Sequence, residues 1–595
     1  MKSIISDPQS PCIDLECAEH TFQSCDGTEI FYRSWRRSVY ADKAIVLLHR
    51  GHEHSGRWET VVENLALPDS AIFAWDARGH GRSPGERGWA ASFSTLVQDA
   101  DSFVRHISEQ YGILMENIVV IAHSVGAVIA ASWVHDFAPP IRALVLATPA
   151  FRVKLYIPGA ISSLRVLQRI KPKSFITSYV GGSMLTHETA EAANYDRDPL
   201  VSRRIAVNIL LDLFDTSRRL VADAGAIHTP TLLLAAGKDA VVQSRAQQDF
   251  WNGLSSRRKE FVVLEQSRHA IFHDVEKSAA LATINRFIER AFQESSTAPS
   301  LAEADRKGFT QQEYQRLSNP LPVWSPARWN YAAQKLFLKT VGRLSAGLRL
   351  GWGAGFDSGP SLDYVYRNRA EGISPLGRWI DRVYLNSVGW RGIRIRKQHL
   401  QQMLGQACAT LEAEGRPIHI VDIASGPGRY LLEAIGKLPG QNVRALLRDC
   451  HARGLEEGRV IARQLGLRCV RFEIGDAFNR IALGAIQPRA TLAIVSGLYE
   501  LFPSNDRVSE SLAGLEDLVE DSGFLIYTNQ PWHPQVEFIA RVLRNRDGRP
   551  WAMRRRTQAE MDHLVGNAGF KKVAMLIDPF GIFTVSLARK SSTRR

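Results

Sequence analysis

The sequence predicts two α/β domains, each a largely parallel sheet covered by helices, with a basic helical stretch between them. Three observations carry this. At 595 residues the chain is too long for a single core. From Phe22 to Phe292, the apolar runs KAIVLLH, AIFAWD, NIVVIAH, ALVLAT, TLLLAAG and FVVLE alternate with helical patterns, as strands buried on both faces do. After the polar break QESSTAPSLAEADRKG the alternation restarts at IHIVDIAS and continues through VRALLRD, CVRFEIGD, ATLAIVSG and GFLIYTN. It ends in the pair KKVAMLIDP and FTVSLARK, which reads as a β-hairpin. The expected boundaries are 22–292, 293–394 and 395–590, with no internal repeat.

Composition narrows the class. Apolar residues make up 45% and charged residues 23%, as in an ordinary soluble globular protein. No run is long and apolar enough for a signal peptide or a membrane span. The six cysteines, at 12, 17, 25, 408, 450 and 469, form no C-x-x-C pair. Reduced thiols and a cytoplasmic location are the reading, with no disulfide framework and no metal site. Net charge is +13, and residues 301–400 hold 16 Lys and Arg against 7 Asp and Glu. Such a block suits nucleic acid or an anionic lipid surface. No nucleic-acid recognition motif accompanies it, so nucleic acid is not expected.

In the first domain, NIVVIAHSVGAVIA reads as strand, sharp turn and helix, with Ser124 at the reversal. The pattern matches the nucleophile elbow G-x-S-x-G except that Ala122 replaces the first glycine. Asp239 follows the strand TLLLAAG, and His269 follows FVVLEQSR, giving the order Ser, Asp, His at strand ends. The chemistry of that set is general-base activation of Ser124 by His269, with Asp239 fixing the imidazole tautomer. The amide of Val125 is one candidate oxyanion donor. His273, four residues beyond His269, is read as packing or capping. His52 and His54 lack a third ligand of suitable spacing.

The loop HRGHEH after the early run KAIVLL of the first domain, and the stretch WDARGHGRSPGER at 75–87, resemble two signatures of the monoacylglycerol lipase and lysophospholipase group of α/β-hydrolases. The resemblance spans about residues 25–290. It implies an α/β-hydrolase fold, Gly51 as the second oxyanion donor, and a cap over the pocket between about 150 and 226. Arg50 departs from the group's His-Gly-x-Gly-Glu-His pattern and puts a cation beside the oxyanion loop. In the cap, FRVKLYIPGAISSLRVLQRIKPKSF mixes apolar residues with six cations; it suits a lipid substrate, or equally a solvated helix.

In the third segment, HIVDIASGPGRYLLEAI is strand, glycine-rich turn and helix, a device that brings backbone close to a nucleotide. A dinucleotide fingerprint begun at Gly426 requires a small residue at 431, where Leu431 stands. The run resembles instead motif I of class I S-adenosylmethionine (SAM)-dependent methyltransferases, with Ala424 replacing the first glycine. The resemblance, over about 395–590, implies a Rossmann-like fold and SAM as cofactor. It implies SAM contacts from Asp422, Ser425, Gly426 and Gly428, from Asp449 to the ribose, and from Asp476, Ala477 and Phe478 to the adenine. By the same resemblance SGLYELF, residues 496–502, lines the acceptor side, with Tyr499 and Glu500 as candidates.

In the basic middle, a helical wheel puts Trp329, Ala333, Leu336, Phe337, Leu344 and Leu348 on one arc, edged by Lys335, Lys339 and Arg343. That face can lie on an anionic membrane or dock onto a domain. The sequence thus reads as a bifunctional enzyme: a serine esterase or lipase acting on a small-molecule or lipid ester, and a SAM-dependent methyltransferase whose acceptor is left open, a lipid-derived molecule being one option. The alternative is a hydrolase half silenced by Arg50, leaving a lipid-surface methyltransferase or scaffold.

Overall fold

The computed structural model describes residues 16–36, 41–67, 69–294, 300–438 and 443–591. They fall into two compact units, Met1–Ala298 and Pro299–Arg595.

The first unit is an eight-stranded sheet in which every apolar run named above is a strand. It opens with an antiparallel pair, β1 (Glu16–Gln23) and β2 (Glu29–Arg36), followed by β3 (Lys43–Leu48), β4 (Ser70–Trp75), β5 (Ile118–His123) and β6 (Ala143–Ala147). A short antiparallel hairpin, β7 (Phe175–Thr177) and β8 (Arg204–Ala206), sits in the insertion after β6; β9 (Thr231–Ala236) and β10 (Lys259–Leu264) complete the main sheet. Its order is β1-β2-β4-β3-β5-β6-β9-β10, parallel from β4 to β10. Strands β3 to β6 and β9 are nearly continuous in burial because both faces are covered. One face packs Ile45, Val119, Val145 and Leu232 against Leu281, Ile284 and Phe287 of the helix Lys277–Gln293. The carboxyl ends of β3, β5, β9 and β10 therefore gather on one edge, where open α/β sheets form their sites.

The second unit is a seven-stranded sheet: β11 (Ile418–Asp422), β12 (Val443–Asp449), β13 (Val470–Ile474), β14 (Ala490–Val495), β15 (Val519–Asn529), β16 (Phe570–Ile577) and β17 (Thr584–Lys590). The order is β13-β12-β11-β14-β15-β17-β16, with β17 antiparallel to both its neighbours. Strand order reverses at β11, between β12 and β14, so a crevice opens beyond its end. Leu400, Met403 and Leu411 of the helix Val388–Ala413 cover one face, and Leu512 and Leu515 of the helix Asn505–Leu518 the other.

The basic stretch set apart as 293–394 is a series of short helices joined by turns, and from residue 300 it is packed into the second unit. Helices Pro326–Lys339, Ala346–Ala354, Gly359–Arg367 and Pro375–Leu385 contribute to it. Leu348, Trp352, Phe356, Val365 and Ile380 join Trp390, Ile393, Ile539, Val542 and Phe583 in one apolar cluster. The single amphipathic arc expected from Trp329 to Leu348 is also corrected. The helix stops at Lys339, and Ser345 caps a new one, its Oγ accepting from the Leu348 amide at 3.1 Å. Leu348 is consequently buried, whereas Trp329, Leu336 and Phe337 stay exposed. No helix among the described residues is long and apolar enough to cross a membrane. Cys12 lies outside the described residues; the other five cysteines are unpaired.

Candidate active sites

Ser124 occupies the turn between β5 and the helix Val125–Phe137, with φ 55° and ψ −111°. A non-glycine residue in that region is strained and held by its surroundings. Here the Ser124 amide donates to the Ala147 carbonyl at 2.9 Å, and the Ser124 carbonyl accepts from the Ala150 amide at 3.1 Å. Ala122 stays within β5, in register with Leu48 and Leu146, so its extra methyl needs no special backbone. The demanding position is Gly126. A Cβ there would lie 2.4 Å from the His49 carbonyl oxygen and 2.6 Å from that of Leu48. Gly126→Ala is expected to cost about 3 kcal/mol of stability, because backbone cannot retreat as a side chain does. A fall in thermal midpoint with the elbow disordered would show it; an unchanged midpoint would refute the close approach.

The three residues named from sequence form one chain of hydrogen bonds. Ser124 Oγ and His269 Nε2 are 2.8 Å apart, and His269 Nδ1 and Asp239 Oδ2 are 2.8 Å apart. Asp239 Oδ1 accepts from the Val241 and Val242 amides at 2.7 and 2.9 Å. Burial raises the Asp239 carboxyl, but the His269 ring and these amides outweigh it and hold the group below its ordinary pKa. The His269 carbonyl accepts from His123 Nε2 and Thr148 Oγ1, both at 3.0 Å, which fixes the loop carrying the imidazole. An acceptor at Asp239 and a proton on Nδ1 leave Nε2 free to take the hydroxyl proton.

The loop after β3 is braced by its own signature. His49 Nδ1 donates to the Arg50 carbonyl at 2.7 Å, while its Nε2 accepts from the Ala77 amide at 2.9 Å. Asp76 accepts from the Ser55 and Arg82 amides, tying HRGHEH to WDARGHGR. Gly51 and Val125 both line the cavity above Ser124, and among the described residues neither amide has a hydrogen-bond partner. Next to Gly51, His52 takes φ 75°, where the related motif has its second glycine. Arg50, expected as an intruding cation, is buried and neutralised: Nη2 donates to Glu53 at 2.5 Å, and the guanidinium lies over the Tyr195 ring. His273 is in a short turn, its Nε2 3.0 Å from the Arg57 carbonyl; His54 pairs with Asp198.

A cavity of about 770 Å³ opens on Ser124 and His269. Leu155, Ile157, Leu164, Met184, Ile205 and Leu213, all from the insertion, make most of its wall apolar. Several insertion cations are engaged elsewhere: Lys173 with Glu86, Arg165 with Asp215, and Lys154 with the Asp239 carbonyl.

In the second unit the turn after β11 lines a cavity of about 710 Å³ together with Ser425, Gly426, Gly428, Asp449, Asp476, Ala477 and Phe478. Gly426 and Gly428 take φ 53° and 66°, and nothing lies within 4 Å of where a Gly426 Cβ would point. Backbone thus faces open space at the end of a central strand. Asp449 Oδ2 accepts from the Gly426 amide at 2.9 Å and closes the turn. Asp476 accepts from the Phe478 amide, and the Phe478 ring stands edge-on to Phe502. These groups fit an adenosyl ligand: an acid at the second strand's end, an apolar ring at the third's, and bare backbone between them.

Two expected contacts are corrected. Asp422 lies beneath the turn, fully buried, where its Oδ2 accepts from the Tyr430 hydroxyl and burial pushes its pKa up to about 7. Tyr499 packs in the core, its hydroxyl 3.0 Å from Ser511 Oγ. Glu500, by contrast, faces a second cavity and pairs with Arg396 at 3.2 Å. Arg396 and Asp357, which lines both cavities, were missed from sequence. The only advance signal was the apolar periodicity of the basic stretch, which implied burial against something without saying what.

Comparison with known proteins agrees with this division. Residues 40–276 match the family described as "Serine aminopeptidase, S33", and residues 284–590 match the one described as "Putative methyltransferase". The chain is 23% identical over 273 residues to monoacylglycerol lipase of Mycolicibacterium smegmatis, covering 46% of this chain and 96% of that protein. Human monoglyceride lipase is 26% identical over 284 residues, 46% of this chain and 91% of the relative. A solved monoacylglycerol lipase from Paleococcus ferrophilus is 24% identical, with a TM-score of 0.40, and covers 47% of this chain and 100% of its own. Over both units together, the chain is 49% identical to "Uncharacterized protein YnbC" of Escherichia coli K12 across 574 residues, 96% of this chain and 98% of that one. With an α/β-hydrolase unit preceding a methyltransferase unit that spans half its length, the chain belongs to this methyltransferase family.

Proposed function

We propose that the protein is a bifunctional enzyme, a serine lipase or esterase joined to a SAM-dependent methyltransferase. The observation that carries the first half is the Ser124–His269–Asp239 hydrogen-bonded chain at the floor of an apolar cavity. Ser124 Oγ attacks the ester carbonyl as His269 Nε2 takes its proton, and the charge on the carbonyl oxygen falls to the Gly51 and Val125 amides. His269 then protonates the departing alcohol, and water releases the acid by the same route. The apolar cap favours a single-chain acyl ester such as a monoacylglycerol or lysophospholipid, and the names of the lipase relatives support that class. The Arg50–Glu53 pairing speaks against a silenced hydrolase. Release of fatty acid from 1-acylglycerol and from lysophospholipid by the full chain tests the reading. If neither these nor a nitrophenyl ester is hydrolysed, the alternative of an inactive first half stands.

For the second half, the Gly426 and Gly428 backbone, Ser425, Asp449, Asp476, Ala477 and Phe478 would hold SAM. When bound, that group supplies an electrophilic methyl on a positive sulfur. The chain's task is then to align an acceptor and take up its proton.

A lipid surface is the working place we assign. Trp329, Leu336 and Phe337 on one helix, and Leu376, Trp379 and Val383 on another, are exposed beside Lys335, Arg378 and Arg382. Exposed apolar side chains edged by cations suit an anionic bilayer. Full chain is expected to sediment with anionic vesicles and less with neutral ones, and a triple Glu substitution of Lys335, Lys339 and Arg343 should reduce it at least fivefold at low salt. Equal sedimentation of both proteins would remove the membrane from this account.

A further inference from the structure

The methyltransferase unit contains a second chamber that sequence reading did not foresee. It has a volume of about 410 Å³ and is roofed by the basic helical stretch. Leu348, Ile380, Ile393, Ile539 and Leu543 are among its walls, with Trp390, Trp551 and Phe583 adding flat aromatic surface. Phe337, Trp379 and Val383 line it and are also exposed, so it opens to solvent through an apolar rim. At its inner end it meets the glycine-turn cavity, because Arg396, Gly497, Leu501, Leu362 and Asp357 line both.

That junction carries a polar pair with unmet bonding capacity. Arg396 Nη1 donates to Glu500 Oε1 at 3.2 Å, and both side chains are more than nine-tenths buried. Among the described residues, Arg396 Nε and Glu500 Oε2 are buried with no hydrogen-bond partner. An unfilled donor and an unfilled carboxylate oxygen on one ion pair that lines an apolar chamber are costly unless a ligand completes them. A hydroxyl does so, donating to Oε2 and accepting from Nε. A carboxylate would meet Glu500 as a like charge, and an ammonium would meet Arg396 likewise. His533 adds a neutral wall: its Nδ1 accepts from the Gln535 amide at 3.0 Å, and burial pushes its pKa down to about 4.

Resting on the methyltransferase reading above, we propose that the acceptor is a hydroxyl-headed amphiphile. Its hydrocarbon tail occupies this chamber and its hydroxyl sits between Arg396 and Glu500. An aromatic hydroxyl suits the step best, since a phenol is far nearer a carboxylate in acidity than an alkanol is. The O–H bond breaks with its proton passing to Glu500 Oε2. An O–CH₃ bond forms as the donor's S–CH₃ bond breaks, leaving a neutral thioether and a methyl ether.

The test uses the full chain with SAM and three probes: 4-nonylphenol, 4-propylphenol and 4-nonylbenzoic acid. Binding is read from quenching of the chamber tryptophans, and product by mass spectrometry. The expected result is that 4-nonylphenol binds at least tenfold more tightly than 4-propylphenol and is converted to its methyl ether, while 4-nonylbenzoic acid binds poorly. Glu500→Gln should keep 4-nonylphenol binding within a few fold and cut turnover at least a hundredfold. Ile393→Trp, which fills the chamber, should weaken the nonyl probe and leave SAM affinity unchanged. Preference for the benzoic acid overturns the head group, and indifference to tail length overturns the chamber. Binding of no probe to a SAM-binding protein overturns both. Absence of SAM binding itself would instead refute the methyltransferase reading.

Discussion

Ser124→Ala is expected to lower ester hydrolysis by about a thousandfold or more while leaving the fold unchanged. The size follows from what the hydroxyl does: without it His269 has no proton to take and no acyl-enzyme forms, so only binding and the amides at Gly51 and Val125 remain. The fold should be indifferent because the strained backbone at φ 55° is held by bonds from Ala147 and Ala150, neither of which involves the side chain. Thermal midpoint and hydrolysis rate measured on one preparation separate the effects. A fluorophosphonate should label wild type at Ser124 and the variant nowhere. Hydrolysis persisting near the wild-type rate would mean that the hydrogen-bonded chain is an ornament of the turn.

Gly426→Val should weaken SAM binding at least a hundredfold, with hydrolysis untouched. Two costs add. The residue sits at φ 53°, where a β-branched side chain is strained. Its Cβ would also project into the open space that bare backbone offers to a ligand. Calorimetry with SAM reads the first outcome, and nitrophenyl ester turnover the second. Were affinity retained, the ligand would have to approach from elsewhere. Were NAD bound in place of SAM, Leu431 would have misled the choice of nucleotide.

The sheets were legible because their strands are buried on both faces and write themselves as unbroken apolar runs. β1 and β2 were not, because ECAEHTFQ and EIFYRSWR mix polar and apolar residues at an outer edge of the sheet. The residues at Ser124, Asp239 and His269 could be named because each follows such a run directly, so topology alone brings them to one rim. Asp422 and Tyr499 misled for one reason: an acid and a phenol next to a site look functional in a string, and only packing reveals that each is satisfied by a buried neighbour. The Arg396–Glu500 pair joins residues 104 apart, a separation that local pattern does not report. The second chamber was hidden for a related cause. A helix whose apolar side faces a cavity has the same periodicity as one that faces a core or a membrane.

Trp352, Phe356 and Val365 pack with Ile539, Val542 and Phe583, so the roof of the second unit leaves the ribosome long before the residues that will hold it. At roughly 5–20 residues per second, the interval is on the order of ten seconds or more. Throughout it, a stretch rich in tryptophan and arginine stands with its apolar side uncovered while a completed hydrolase unit is already folded upstream. The nascent chain therefore passes through a sticky adolescence that the finished protein no longer shows. Holdase chaperones should find it there, and slowing translation between residues 400 and 540 should lower the yield of the second activity more than that of the first.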